Sequence, residues 1–330
     1  MITMTDTVKA FRFHKVGGAE VLQFERMPLA APGEDHVQIR HTAIGVNYID
    51  TYHRTGLYPL PLPSPIGIEG TGVVTAVNAN VTGLKVGDRV AYAGGPLGAY
   101  SEARNIPARQ LIKIPDGVDE KHVAAGFLRA LTVEYLFNRS FPLKGGETVL
   151  FHAAAGGVGL LACQWAKAIG VNLIGTAGSD DKCALALAHG AKHVINYRTQ
   201  NFVEEVKKLT SGKGVPVVYD SVGKDTFPAS LDCISPFGHF VSFGNASGPI
   251  EGFNLGMLGP KGSLYATRQT LMTYIADRAR YEHMAATVFT LLKAGKLDLA
   301  PRQTYSLENA ALAHIDLEAR KTTGGMILLR

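Results

Sequence analysis

Gly146-Glu147-Thr148-Val149-Leu150-Phe151-His152-Ala153-Ala154-Ala155-Gly156-Gly157-Val158-Gly159 reads as a short buried strand, a loop of small residues and the opening of a helix. The helix keeps an apolar periodicity over about 158–169 and is stopped by Gly170. A glycine pattern standing between a strand and a helix predicts dinucleotide binding. The first N–H groups of such a helix have no partners within it, and its dipole favours negative charge there, so a pyrophosphate finds both. Gly156 lets the backbone approach the phosphates and Gly159 lets helix and strand pack closely, with Gly157 and Val158 between them at the helix start. Ala154 stands where G-x-G-x-x-G has its first glycine, a departure from the bare motif. A tight turn of small residues accounts for the same letters; the flanking pattern favours the nucleotide.

The unit repeats downstream. A strand over 172–176 is followed by a helix over 180–189 and a stop at Gly190. A strand over 193–197 precedes a helix over 201–210, a strand over 215–220 precedes a helix over 225–234, and a strand over 239–243 follows. Strands alternating with such helices predict an α/β, doubly wound parallel sheet with right-handed crossovers, a Rossmann arrangement.

Cofactor choice hangs on the end of the second strand. NAD sites carry an acidic residue there, about twenty residues past the loop, for the ribose hydroxyls. This chain has Thr176-Ala177-Gly178-Ser179, with Asp180 and Asp181 set back into the helix start and Lys182 beyond. Gly178, Ser179 and Lys182 can accept an extra phosphate that a carboxylate would repel, so NADPH is the expected cofactor. Tyr197, at the end of the third strand, could stack beside the adenine or bond that phosphate. Ser179, Asp180 and Asp181 also suit a helix cap, and both readings can hold together.

Residues 1–125 read differently, as short alternating strands such as Val8 to Phe13, Val37-Gln38-Ile39-Arg40 and Val73 to Val77. Turn signals punctuate them, including four prolines between Pro59 and Pro65, which suggests a partly closed barrel. After Gly262 come a strand-like run over 263–267, a helix over about 273–292 and a β-rich tail. The nucleotide domain is therefore expected as an insertion: 1–126 and 265–330 form one domain, 127–264 the other.

Composition agrees and excludes several classes. A chain of 330 residues that is 46% hydrophobic and 18% charged has the apolar surface to fold, and the length of two domains. The net charge of +5 is scattered, with no basic run beyond pairs such as Lys207-Lys208, which argues against a nucleic-acid arm. Cys163, Cys183 and Cys233 are widely spaced with no C-x-x-C, so neither a disulfide framework nor a structural zinc site is expected, and a cytoplasmic location is. Cys163, on the apolar helix, is expected to pack. The N-terminus from Met1 to Thr7 lacks a signal pattern, and the apolar stretch around 148–177 is too interrupted to span a membrane.

Several segments together resemble the quinone oxidoreductase and zeta-crystallin family of the medium-chain dehydrogenase/reductase superfamily. Gly146-Glu147-x-x-Leu150, Ala154-Ala155-Gly156-Gly157-x-Gly159, Gln164 and Lys167 match its signature without a gap. Further matches are Ala43 to Tyr52, Pro65-Ile66-Gly67-Ile68-Glu69-Gly70, Val86 to Val90, Tyr219 to Gly223 and Val241 to Asn245, so the resemblance spans essentially the whole chain. It is strongest toward bacterial NADPH:quinone oxidoreductases. The family implies a β-rich GroES-like catalytic domain around the Rossmann domain, quinone reduction by hydride transfer, and a homodimer. Zinc-dependent relatives place a cysteine where this chain has Asn47 and a histidine where it has Ile68. An amide and an isoleucine cannot form an open three-ligand zinc site, so no metal is expected.

By the same resemblance, Asn47, Tyr52, Tyr58 and Arg268 should line the cleft near the nicotinamide. Asn47 could bond a substrate oxygen or the carboxamide, Tyr52 could donate to charge developing on a quinone oxygen, and Arg268 could hold that charge or the cofactor. Their plainer roles are a closed turn for Asn47, an aromatic core for Tyr52 and a loop lid for Tyr58. Thr132 should approach the carboxamide from a helix start, and Ser221, Phe243, Gly244 and Ser247 should lie at the carboxyl ends of later strands, where open α/β sheets bind ligands. The edge run 263–267 is where family members pair across a two-fold axis. Two other readings stay open: a reductase of enone or enoyl double bonds, and an RNA-binding or structural crystallin-like protein.

Overall fold

Val37 and Ile39 are the buried inward residues of an alternating strand whose Gln38 and Arg40 are more exposed. The structure is a computed structural model that describes residues 6–330, so most of the polar stretch from Met1 to Thr7 lies outside the described residues. Strands β1 (Asp6–Phe13) and β2 (Leu22–Leu29) pair antiparallel, and β3 (His36–Gly45) leads into helix α1 (Tyr48–Thr55). Then come β4 (Ser64–Pro65), β5 (Glu69–Val77), β6 (Arg89–Ala93), β7 (Ala103–Pro107), β8 (Ile112–Lys113) and helix α2 (Glu120–Tyr135). Helix α1 interrupts the β-rich run and was not expected. It starts at Asn47 with a capping box to Asp50 and ends on Gly56 in the left-handed conformation at φ 81°.

The next stretch builds the predicted repeat: β9 (Thr148–Phe151), α3 (Gly157–Ile169), β10 (Asn172–Ala177), α4 (Asp180–Ala188), β11 (His193–Asn196) and α5 (Phe202–Leu209). Strands β12 (Val215–Asp220), β13 (Ile234–Ser242) and β14 (Tyr265–Arg268) complete it. All six pair in parallel, in the order β11-β10-β9-β12-β13-β14. Counted from β9 that is 3-2-1-4-5-6, the dinucleotide-binding order. The helix expected over 225–234 is instead a loop with a short 3-10 turn at Ala229–Cys233. Pro228 lacks an N–H and disfavours helical backbone before it, which explains the break.

The rest is α6 (Leu271–Ile275), α7 (Arg278–Lys293), β15 (Pro301–Ser306), α8 (Ala310–Glu318) and β16 (Gly325–Leu329). The single helix expected over 273–292 is thus two. Strands β15 and β16 join β3, β5, β6, β7 and β8 in a seven-stranded sheet. Two compact units result: the chain up to Leu128 with Arg278–Phe289 and Leu299–Arg330, and Arg129–Asp277 with Thr290–Asp298. They divide after Leu128 rather than 126. The chain leaves the second unit after Asp277 rather than 264, because β14 pairs with β13. The first unit buries Phe13, Val37, Ile39 and Tyr100 in its core, and the second Leu150, Ile174, Val206 and Val218. Among the described residues, no helix is long and apolar enough to cross a membrane.

Candidate functional site

In the second unit the small-residue loop joins β9 to α3 at the switch point of the sheet, where β9 has β10 on one side and β12 on the other. Gly156 is the N-cap, and the first bond onto it is Leu160 N–H to Gly156 O at 2.9 Å. The N–H groups of Gly157, Val158 and Gly159 therefore head the helix without carbonyl partners inside it. Gly159 has no room for a side chain: a Cβ there would lie 2.3 Å from Ala153 O and 2.6 Å from Ala154 Cα. Ala154, in the place of the missing first glycine, is fully buried, and its N–H donates to Thr176 O at 2.9 Å. Its methyl group fills the space over Gly175, where a Cβ would come within 2.5 Å of it. A glycine on the neighbouring strand thus compensates for the departure from the motif. Cys163 packs beneath, buried, its thiol pushed up to about 12 by burial.

At the end of β10 the chain turns through Gly178 into α4, capped by Ser179, whose Oγ accepts from Lys182 N–H at 3.4 Å. The expected cap is present, and Lys182 stands in the first turn, half-buried. Asp180 Oδ1 accepts from Asn196 Nδ2 at 2.8 Å, which ties that carboxylate to the end of β11. Tyr197 follows β11, 44% exposed, with its hydroxyl where a Cβ on Gly178 would come within 2.5 Å. Gly178, Ser179, Lys182 and Tyr197 therefore gather at one strand end. The residues fit a phosphorylated ribose: small groups, a hydroxyl, a phenol and an ammonium, with the Asp180 carboxylate held by an amide.

Ser221 follows β12, and Phe243 and Gly244 follow β13. Phe243 N–H donates to Asp220 O at 2.8 Å and its ring lies 5.6 Å from Phe151. Gly244 is pressed against Ser221, whose carbonyl oxygen a Cβ would meet at 2.6 Å. Ser247 ties the loop after β13 to the segment after β12: its hydroxyl donates to Val222 O and accepts from Asp225 N–H, each at 2.9 Å. Thr132 is not at a helix start. It lies in the interior of α2, one turn before Tyr135, because α2 begins at Glu120. Arg268 ends β14 and is exposed, and its charge partly offsets the burial that pushes the Tyr135 phenol up. Tyr135 in turn stacks on Tyr274 at 4.6 Å.

The first unit gathers the other three. Asn47 caps α1, buried, with its backbone N–H donating to Asp50 Oδ2 at 2.9 Å and its Nδ2 to Glu69 Oε2 at 2.6 Å. Tyr52, one turn into α1, is 8% exposed and lies between Tyr48 and Tyr58, with ring centres 5.6 and 5.2 Å away. Tyr58 N–H donates to Tyr52 O at 3.1 Å, so the segment after α1 folds back on it. Glu69 and Asp50, both fully buried, escaped the sequence reading. Asp50 was legible as the fourth letter of a capping box, whereas nothing local marks Glu69, 22 positions from Asn47. Among the described residues, no three His, Cys, Asp or Glu side chains gather as a metal site.

Two family models match the chain: a zinc-binding dehydrogenase model over residues 157–288 and an alcohol dehydrogenase GroES-like domain over residues 33–116. A quinone oxidoreductase of Pseudomonas aeruginosa is 53% identical over 322 residues, 97% of this chain and 99% of that protein. A 2-haloacrylate reductase of a Burkholderia species is 41% identical, over 98% of this chain and 99% of that one. The crystal structure of Escherichia coli quinone oxidoreductase complexed with NADPH superposes with a TM-score of 0.96 at 49% identity, covering 98% of this chain and 100% of that chain.

Proposed function

The chain belongs to the quinone oxidoreductase family of the medium-chain dehydrogenase/reductases, and from that premise we propose that it reduces quinones with NADPH, without zinc. The observation that carries this reading is the phosphate-ready start of α3 together with the strand end at Gly178, Ser179, Lys182 and Tyr197, where an amide holds the Asp180 carboxylate. Gly156, Gly157, Val158 and Gly159 hold the pyrophosphate, with Ala154 buried beneath them as the packing that supports the loop, and Thr132, Ser221, Phe243, Gly244 and Ser247 serve the nicotinamide half. NADPH, when bound, supplies a hydride.

The chain's own groups then bind and polarise the acceptor. Asn47 and Tyr52 donate hydrogen bonds to the quinone oxygen on which negative charge develops, Tyr58 shields them from water, and Arg268 holds charge on the cofactor or the substrate. A quinone is already a strong acceptor, so orientation supplies most of the effect. Asn47 and Ile68 offer an amide and an alkyl group where zinc relatives carry ligands. The chain acts in the cytoplasm as a homodimer joined at the exposed edge strand β14, where Tyr265 is 57% exposed. A monomer mass in light scattering removes the dimer, and membrane-bound or exported protein on fractionation removes the location.

NADPH oxidation followed at 340 nm over a panel of quinones and enones tests the activity. Turnover of quinones is the expected outcome; β-carbon reduction of enones with little quinone turnover favours the second reading, which the haloacrylate reductase relative supports. In the same assay NADPH should bind at least about tenfold tighter than NADH, an energy of about 1.4 kcal/mol, and Lys182→Ala should narrow that gap. Equal constants for the two cofactors would sink the assignment. Tyr52→Phe keeps the ring packing and removes one donor to a charged oxygen, a loss of roughly tenfold or more in kcat. Unchanged turnover with several quinones removes Tyr52 as that donor.

A further inference from the structure

We propose that Glu69 is a positioning residue, which fixes the Asn47 carboxamide so that it offers an N–H, and not its oxygen, to the ligand. This rests on the reading of Asn47 given above. Glu69 begins β5 and is fully buried, and its two oxygens take different donors: Oε2 accepts from Asn47 Nδ2 at 2.6 Å and Oε1 from Leu128 N–H at 2.6 Å. Room for that carboxylate is built into the backbone. A Cβ on Gly45 would come within 2.3 Å of Glu69 Oε2 and 2.4 Å of Ala124 O, so position 45 can carry no side chain.

The chemistry of the pair leaves one orientation. A carboxylate only accepts, and of the two ends of a carboxamide only the nitrogen donates. Turning the amide over would set two oxygens against each other in a buried site. The Asn47 oxygen is in turn directed at the backbone N–H of Asp50 by the capping box. Of the two Nδ2 hydrogens one goes to Glu69, and the other is the polar group left for a ligand oxygen such as a quinone carbonyl.

The main-chain side of Asn47 is held as firmly. Asp50 Oδ2, which accepts from Asn47 N–H, also accepts from the Tyr100 hydroxyl at 3.0 Å. The Tyr100 oxygen then accepts from His314 Nε2 at 3.0 Å, and His314 Nδ1 accepts from Arg54 Nη1 at 3.1 Å. Every direction in this chain follows from its ends, because arginine only donates and the carboxylate only accepts. Asn47 thus sits between two buried carboxylates, one fixing its backbone and one its side chain.

Two measurements test the assignment. In the full-length protein with selectively 15N-labelled asparagine, one Asn47 side-chain proton should be shifted downfield and protected from exchange, and Glu69→Gln should abolish that signature. This readout needs no turnover, so it still reports if the wild type reduces no quinone. In quinone assays, Glu69→Gln should lower kcat about tenfold with the NADPH constant unchanged, and should cost nothing further in the Asn47→Ala background. The proposal is overturned if the wild-type protein lacks the shifted proton, or if Glu69→Gln costs as much with Asn47→Ala as without it. The first criterion uses no variant, so misfolding of Glu69→Gln cannot shelter the idea.

Discussion

Gly159→Ala should weaken NADPH binding by about a hundredfold, although it adds a single methyl group. The added carbon would lie 2.3 Å from Ala153 O and 2.6 Å from both Ala154 Cα and Ala154 C. All three are backbone atoms, so no side chain can swing aside. Ala153 already sits at φ 56°, a conformation that a residue with a Cβ adopts only when its surroundings hold it there, so the loop has little freedom to yield. The first turn of α3 must then move off the loop. Overpacking of this kind costs about 1–3 kcal/mol, and displacing the N–H groups of Gly157 and Val158 from the pyrophosphate adds to it. Gly145→Ala is the control, because it precedes β9 at the end away from the phosphate loop and its Cβ would meet only Ile169 O at 3.2 Å and Gly170 O at 3.9 Å. The closer contact needs a shift of a few tenths of an ångström at a place that touches no cofactor group, and should leave NADPH binding within about twofold of wild type. Calorimetric titration of both variants with NADPH checks the order, and equal affinities for Gly159→Ala and wild type would falsify the role given to this glycine.

What could be read in advance follows from how local each signal is. The strand, loop and helix around Gly146 to Gly159 lie within one stretch, and the later strands repeat its rhythm, so the sheet and the phosphate site were legible. Helix α1 was equally local, its capping box Asn47-x-x-Asp50 and Gly56 stop both visible, but the alternating strands on either side drew the whole region into a β reading. The 225–234 helix failed where apolar spacing outweighed one proline, and Thr132 was misplaced although Asp119, whose Oδ1 accepts from Lys121 N–H at 2.7 Å, marks the start of α2 thirteen residues earlier. Ala154 looked like a flaw until Gly175, a strand away, was seen to make room for it. Non-local pairs were beyond reach. Nothing in the letters joins Glu69 to Asn47, or Arg54 to His314, 260 positions later. The family resemblance pointed to Asn47 as a site residue, and only the fold shows what holds it.

Arg54→Leu should be the most destabilising single change in the first unit among those considered, at about 3–5 kcal/mol, because it removes one partner from a buried polar chain and leaves the others behind. Arg54 is 1% exposed and donates three ways: Nε to Gly17 O at 3.0 Å, Nη1 to His314 Nδ1 at 3.1 Å and Nη2 to Glu318 Oε1 at 2.7 Å. Leucine fills part of the space but strands an acceptor on Gly17 and another on His314, each costing about 1–3 kcal/mol when buried. Glu318 is 37% exposed and can turn to water, so Glu318→Gln should cost less than about 1 kcal/mol. The acid limb of stability carries a second signature. Burial, and after it the charge of Arg54, lowers the His314 pKa from 6.5 to about 3, so the folded protein holds this ring neutral. The unfolded chain takes up a proton below about 6.5, so the stability from neutral His314 is full above that pH and is lost as the pH falls toward about 3. His41, also lowered to about 3, and His152, lowered by burial, share that sign and remain in the variant. Removing Arg54 lifts the repulsion at His314 alone, so urea unfolding between pH 7 and pH 4 should show Arg54→Leu less stable throughout but with a shallower acid slope. A variant as stable as wild type at pH 7, or one with a steeper acid slope, would contradict the directions assigned along this chain, and with them the support it lends to Asp50 and Asn47.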